Sequence, residues 1–349
     1  MTFHLIGQQQ AVAQLEHGLE TGRLAHAYLI TGPHGVGRRT LAQQLAQALN
    51  CEAEPASQRP CGACRACRLI ERGVHPDVRM VKRAPERKSI LLRAPSPAGP
   101  PRPYLDNVEA IQADAQLRPA DGRTKVYLIL DAEELAEDAA NRLLKTIEEP
   151  TAFVRFVLTA TDRGALLPTI ASRCQELRLR PVPRAELAQA LVDAGVADAE
   201  LAPQLAALAA GAPGWAIRAA ATPDLLRQRM LDLAELHGAL GAGRLERLVR
   251  ARAIAETWWS NPDRVRSLLR AWLAWWRDVL LVQLGLAAHI SHLQEDERAA
   301  LAVAADAVSF EAACAAQARA RQTLEDLDAN VNARLALDLL FLALPSARV

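Results

Sequence analysis

The period of the apolar positions changes near residue 184, and that change separates two kinds of structure along the chain. Before it, helical and strand-like patterns alternate. Residues 5–19 read as an amphipathic helix with Val12, Leu15 and Leu19 on one face. Short apolar runs at 27–30, 78–81, 126–130, 154–159 and 176–179 read as strands. Where such runs are continuous, they belong in a parallel sheet covered on both faces. Helices are predicted at 40–49, 104–117 and 141–149, the last two stopped by Pro119 and Pro150. This alternation predicts an α/β domain.

From Arg184 onward Ala and Leu recur at helical spacing with no strand-like alternation, so the remainder is predicted to be all helical. Three short helices should break at Gly195, Pro203 and Gly211-Ala212-Pro213, with Pro223 marking a linker. Beyond it, Leu268, Leu269, Trp272, Trp276 and Leu280 form a broad stripe that reads as core or subunit interface. Leu335, Leu339 and Leu342 share one face of the last helix. The predicted domains are therefore 1–182, 183–222 and 223–349.

Between the first strand and its helix stands Gly32-Pro33-His34-Gly35-Val36-Gly37-Arg38-Arg39-Thr40. Strand, glycine loop and helix in that order make a phosphate-binding P-loop. Gly32 and Gly37 keep the motif's spacing, but its Lys is Arg38 and its hydroxyl residue is Arg39. Lys is a compact point charge and Arg a longer planar one; a guanidinium cannot ligate Mg²⁺ as a hydroxyl does. Thr40 comes one residue late and, on a helix, points about 100° away. Asp131 ends the run 126–130 where a P-loop ATPase holds Mg²⁺, yet the glutamate expected next is Ala132. Glu133 and Glu134 should leave on other vectors. Alone, Asp131 also reads as a helix-capping acid. ATP binding in this site is not expected, although the loop's backbone N–H groups leave weak binding without chemistry open.

Cys51, Cys61, Cys64 and Cys67 supply the other candidate chemistry. Two-residue gaps let successive thiolates converge on one ion at about 2.3 Å, and four of them close a tetrahedron. A structural Zn²⁺ is the reading; His75, eight residues beyond and before Pro76, is the alternative ligand. Arg59, Arg65, Arg68 and Arg72 make the knuckle basic, either as a solvated face or as a contact for DNA or a partner.

The run Asn141-Arg142-Leu143-Leu144-Lys145-Thr146-Ile147-Glu148-Glu149-Pro150, then Ala160-Thr161 and Ser172-Arg173-Cys174, resembles the AAA+ subunits of bacterial DNA polymerase III clamp loaders. Arg23-Leu24-Ala25-His26-Ala27-Tyr28 and the cysteine module inside the P-loop domain fit the same resemblance, which covers roughly residues 1–220 by motif. It implies a P-loop AAA+ domain with a zinc-binding insertion, a small helical lid and an all-α collar. Arg38-Arg39 and Ala132 point to the delta-prime type instead of the ATP-hydrolysing tau/gamma type. The resemblance further implies that Arg173 is an arginine finger reaching a neighbour's ATP site, with Ser172 and Cys174 shaping its turn. Thr161 falls at the sensor-1 position, and Gly214 stands where sensor 2 should be Arg. The degenerate nucleotide set is then Gly32, Gly35, Gly37, Arg38, Thr40, Asp131 and Thr161. Implied partners are tau/gamma and delta subunits in a five-subunit ring, and through it the sliding clamp and primer–template DNA.

The bulk numbers limit this only a little. A net charge of +1 over 349 residues gives no global field for nucleic acid. The best membrane candidate, 279–290, is interrupted by Gln283 and falls short of the roughly 20 apolar residues of a span. No signal peptide is visible, so the chain is expected to be cytoplasmic, with its six cysteines as metal ligands or free thiols. Two rivals remain: an active tau/gamma-type ATPase that uses Arg38 for Lys, and a DNA-binding module built on the basic knuckle.

Overall fold

The computed structural model describes residues 3–84, 89–93, 104–292, 294–329 and 331–347. The Pro-rich insertion expected at 95–103 lies outside the described residues. The chain divides into two compact units, Met1–Ala190 with Gly211–Gly214, and Leu191–Ala210 with Trp215–Val349.

The first unit is built on a parallel sheet of five strands: β1 (Ala27–Thr31), β2 (Val78–Val81), β3 (Lys125–Ile129), β4 (Val154–Ala160) and β5 (Gln175–Arg178). Their order is β2-β3-β4-β1-β5. All pairs are parallel, with Thr31 beside Ala160 and Ile129 beside Leu158. This is the α/β P-loop architecture expected of an AAA+ domain.

Strand alternation feeds two cores, because successive side chains point to opposite faces. Leu29, Tyr127, Ile129 and Phe156 pack with α4 (Val108–Ala115), α5 (Glu137–Glu148) and α6 (Pro168–Ala171) on one face. Tyr28, Ile30, Leu128 and Val157 pack on the other with α1 (Gln9–Thr21), α2 (Arg38–Asn50) and α3 (Arg65–Glu71). Burial on both sides explains why these strands read as continuous apolar runs. α4 begins later than the pattern predicted. Leu105 bridges to Val81, and Asn107 caps the helix by accepting the Ala110 N–H at 2.9 Å.

Beyond the sheet the chain is helical: α7 (Arg184–Asp193), α8 (Leu201–Leu208), α9 (Pro213–Ala221), α10 (Pro223–Gly241), α11 (Arg244–Ser260), α12 (Pro262–Gln283), α13 (Glu295–Ala307), α14 (Phe310–Asp328) and α15 (Ala333–Ala343). Two proline readings are corrected. Pro203 lies in the first turn of α8, where a missing N–H is tolerated, and it breaks nothing. Pro223 is the first residue of α10, so it starts a helix instead of marking a linker. Trp272, Trp275 and Trp276 of α12 are fully buried in the core of the second unit, and Trp272 meets Phe341 of α15 at 5.3 Å.

Candidate functional site

A parallel sheet gathers the carboxyl ends of its strands along one edge, where ligands of α/β proteins bind. Here that edge carries the glycine loop after β1, Asp131 after β3 and Thr161 after β4. Gly32 adopts φ +148° and Gly37 φ +111°; a Cβ on Gly32 would lie 2.6 Å from the Leu179 carbonyl oxygen. Glycine is therefore required by both backbone shape and close approach. α2 starts directly at Arg38, with its free N–H groups at the loop.

The Arg38 side chain is only 7% exposed. It bends back into the site, donating from Nη2 to Asp131 Oδ1 at 3.2 Å, while Nη2 also lies 3.0 Å from His34 Nδ1. Nη1 stands 4.0 Å from Glu133 Oε1 and makes no hydrogen bond among the described residues. Glu133 corrects the expectation that it points elsewhere. Asp131 is in the left-handed region (φ 50°) and a single turn of 3₁₀ helix follows it. Glu133 thereby returns to the site, accepting the Thr161 N–H at 3.0 Å. Glu134 does leave, to Arg83 at 3.0 Å. The Asp131 N–H donates to Thr159 Oγ1 at 2.9 Å, tying the two strand ends together.

The loop has a lid of its own. Gly214 N–H donates to the Gly35 carbonyl at 2.8 Å, and a Cβ on Gly214 would stand 3.0 Å from that oxygen. Gly32, Gly35, Gly37, Arg38, Asp131 and Thr161 are thus brought together, whereas Thr40 and Arg39 are exposed on α2. Sequence alone shows Arg38 to be wrong for a Lys. That it pairs with an acid 93 residues away is visible only in the fold.

Arg173 sits apart from this cluster, half exposed after α6. Its Nη2 is 2.6 Å from Glu148 at the end of α5, and Nη1 donates to the Thr169 carbonyl at 2.9 Å. Cys174 next to it is buried, and burial pushes its thiol up to about 11.

The four predicted cysteines converge, all sulfurs within 4.8 Å of one another. A tetrahedron with 2.3 Å bonds has edges of about 3.8 Å, and Cys51 and Cys64 sulfurs lie 4.0 Å apart. Backbone N–H groups already point at the sulfurs: Cys61 and Ala53 toward Cys51, Cys64 toward Cys61, and Cys67 toward Cys64, at 3.3–3.5 Å. The Cys64 N–H holds the Cys61 thiol down to about 7, whereas burial raises Cys51 and Cys67. Donor set, spacing and N–H dipoles all fit a closed metal site. The knuckle is fastened to α2, where Gln47 donates to the Cys67 carbonyl at 3.0 Å. His75 is not part of the cluster: it is buried and its Nδ1 accepts the Asp77 N–H at 3.1 Å.

Comparison with known proteins follows the same outline. The family model described as DNA polymerase III, delta subunit, matches residues 7–183. The Pseudomonas aeruginosa DNA polymerase III subunit delta' is 35% identical over 257 residues, covering 72% of this chain and 70% of that one. The Escherichia coli subunit tau is 40% identical over 176 residues, which is 50% of this chain and 25% of tau. This chain thus spans about a quarter of the tau proteins it matches. Among solved structures, a gamma subunit-related protein of Thermotoga maritima is 16% identical with a TM-score of 0.43, covering 96% of this chain and 97% of the other.

Proposed function

This chain belongs to the family described as DNA polymerase III, delta subunit, and from that premise we propose that it is a non-catalytic clamp-loader subunit of the delta-prime type. The observation that carries the reading is the Arg38–Asp131 pair. A P-loop ATPase needs a Lys under the phosphates, a hydroxyl on Mg²⁺ and an acid free to hold that ion. In this chain the acid is already paired with a guanidinium from the loop, and Arg39 replaces the hydroxyl. Ala132 stands at the motif's glutamate position, Glu133 is engaged by the Thr161 N–H, and Gly214 brings no arginine to the loop.

Its contribution to ATP hydrolysis is then made in trans. Arg173, held on the surface by Glu148 and the Thr169 carbonyl, is the finger for a tau/gamma-type neighbour. The chain then comprises an AAA+ domain of residues 1–182, a lid of residues 183–222 and a collar of residues 223–349, and the collar is the ring contact. α15 supports this: its inner face is buried, while Leu335, Leu339 and Leu342 are each more than a third exposed. Such an apolar stripe needs a partner surface. The subunit acts as a stator in a five-subunit cytoplasmic ring with delta, through which the sliding clamp is placed on primed DNA. Zn²⁺ in the cysteine knuckle is structural.

The test is phosphate release by the chain alone and with its ATPase partners. Alone it should release none at millimolar ATP. Arg173→Ala should lower turnover at the one interface it serves by roughly 10³-fold or more, leaving the others intact. The second reading, an active tau/gamma-type ATPase that uses Arg38 for Lys, draws on the 40% identity to tau over 176 residues. Turnover by the purified chain would establish it and remove the first.

A further inference from the structure

The helical unit contains a cavity of about 260 Å³ between α8, α10, α12 and the start of α13. Leu205, Leu208, Leu226 and Leu233 are among its walls. Three buried nitrogens on residues of that lining have no hydrogen-bond partner: Arg229 Nε, His237 Nε2 and Trp275 Nε1. Trp275 is fully buried. Buried polar groups in native proteins nearly always find a partner, and these three find none among the described residues.

The rest of the polar shell is satisfied and holds these groups in place. Arg229 Nη2 lies 3.1 Å from His292 Nε2. His292 Nδ1 in turn lies 2.7 Å from Asp278, which also accepts from the Ser291 N–H and hydroxyl. Arg229 is thus fixed by one end of its guanidinium and keeps Nε–H unspent. Water fits poorly as the sole occupant. The volume far exceeds the roughly 10–15 Å³ that one water needs, and on its apolar side Leu201, Leu205, Leu208, Leu226 and Leu233 offer water no hydrogen-bond partner.

The charge around the cavity selects the ligand. Asp296 and Glu297 line it from the first turn of α13, beside Glu295. Asp278 and Asp232 already act on the Arg229 charge. An anion is therefore disfavoured, and an apolar group with a neighbouring cation is favoured. Met230 lines the cavity yet is 61% exposed, and Leu231 beside it is 57% exposed, so apolar contact continues onto the surface of α10.

We propose that this cavity receives a large apolar residue of a partner polypeptide, whose flanking Lys or Arg faces Asp296 and Glu297. The inference stands whether or not the chain serves a clamp loader. It is tested by panning a phage-displayed random nonapeptide library on the full chain. Enriched peptides should share a Leu, Phe or Trp with a Lys or Arg within two positions. A synthetic peptide of that consensus should bind the D296K/E297K chain at least tenfold more weakly, and selection on that variant should turn to acidic flanks. Ala300→Phe, which fills the cavity, should abolish binding; should that variant misfold by circular dichroism, the charge reversal decides alone. No consensus, a consensus without a basic residue, or equal binding to D296K/E297K would overturn the proposal.

Discussion

α2 has a ligand-shaped site at each end, and the two ends have met the same problem in opposite ways. At its N-terminus the P-loop backbone is intact, and Arg38, its first residue, makes an ion pair with Asp131 in the site. At its C-terminus Asn50 passes directly into Cys51, and four sulfurs gather within 4.8 Å of one another. One site holds an ion pair made within the chain; the other gathers four thiols suited to a metal cation from outside. A familiar motif therefore says less about ligand binding than the charge balance its residues leave behind.

The strongest way to break that comparison is at the cysteine end. Cys64→Ser, or a chelator, should remove one equivalent of bound metal and open the knuckle around residues 51–72 to hydrogen exchange. In isolated zinc fingers metal binding is worth about 10–16 kcal/mol. Here Gln47 and the α2 packing retain part of the order, so local exchange is the sensitive readout. Unchanged protection under chelation would mean that the thiols hold together without a metal.

At the other end the effects are smaller. Arg38→Ala should cost only about 1 kcal/mol in thermal unfolding, because Asp131 is 47% exposed and water takes over its solvation. The sharper experiment rebuilds the motif. R38K/R39T restores the motif's Lys and hydroxyl and frees Asp131 for Mg²⁺. Affinity for a fluorescent ATP analogue should rise at least tenfold, about 1.4 kcal/mol. Hydrolysis should stay absent, since Ala132 is unchanged. If the double variant binds no better than wild type, the Gly214 lid, not Arg38, closes the site.

How much of this could be read in advance depends on the range of the interaction. Strands, the glycine loop and the cysteine cluster are written in local spacing, and alternation such as Tyr28/Ile30 against Leu29 assigns each face. Pro203 and Pro223 were misread for a local reason: proline is permitted in a first turn, and only the finished helix shows which turn it occupies. The return of Glu133 has no sequence signal, because it depends on Asp131 taking a left-handed backbone that non-glycine residues rarely adopt. The Gly35–Gly214 contact joins residues far apart in sequence, and neither glycine announces it.

The smallest effect sharpens the comparison through His75, which lies beneath the cysteine end of α2. Gly122 is pressed against both Asn50 and the His75 ring, and a Cβ there would stand 2.5 Å from Asn50 Oδ1. Burial lowers the His75 pKa below its ordinary 6.5, so the folded chain keeps the ring neutral. The unfolded chain takes up a proton near pH 6.5, and the folded chain refuses it until the pH is lower. Stability is therefore complete above about pH 6.5 and falls as the pH drops toward the folded pKa, by at most about 1.4 kcal/mol per unit. His237 in the helical unit is lowered by burial with the same sign. Denaturant unfolding between pH 8 and 5.5 should show His75→Gln flattening the acid slope of the P-loop unit while leaving that of the helical unit in place. A slope that survives His75→Gln in the P-loop unit would shift the acid sensitivity to the thiolates themselves, and the two ends of α2 would then differ by the metal alone.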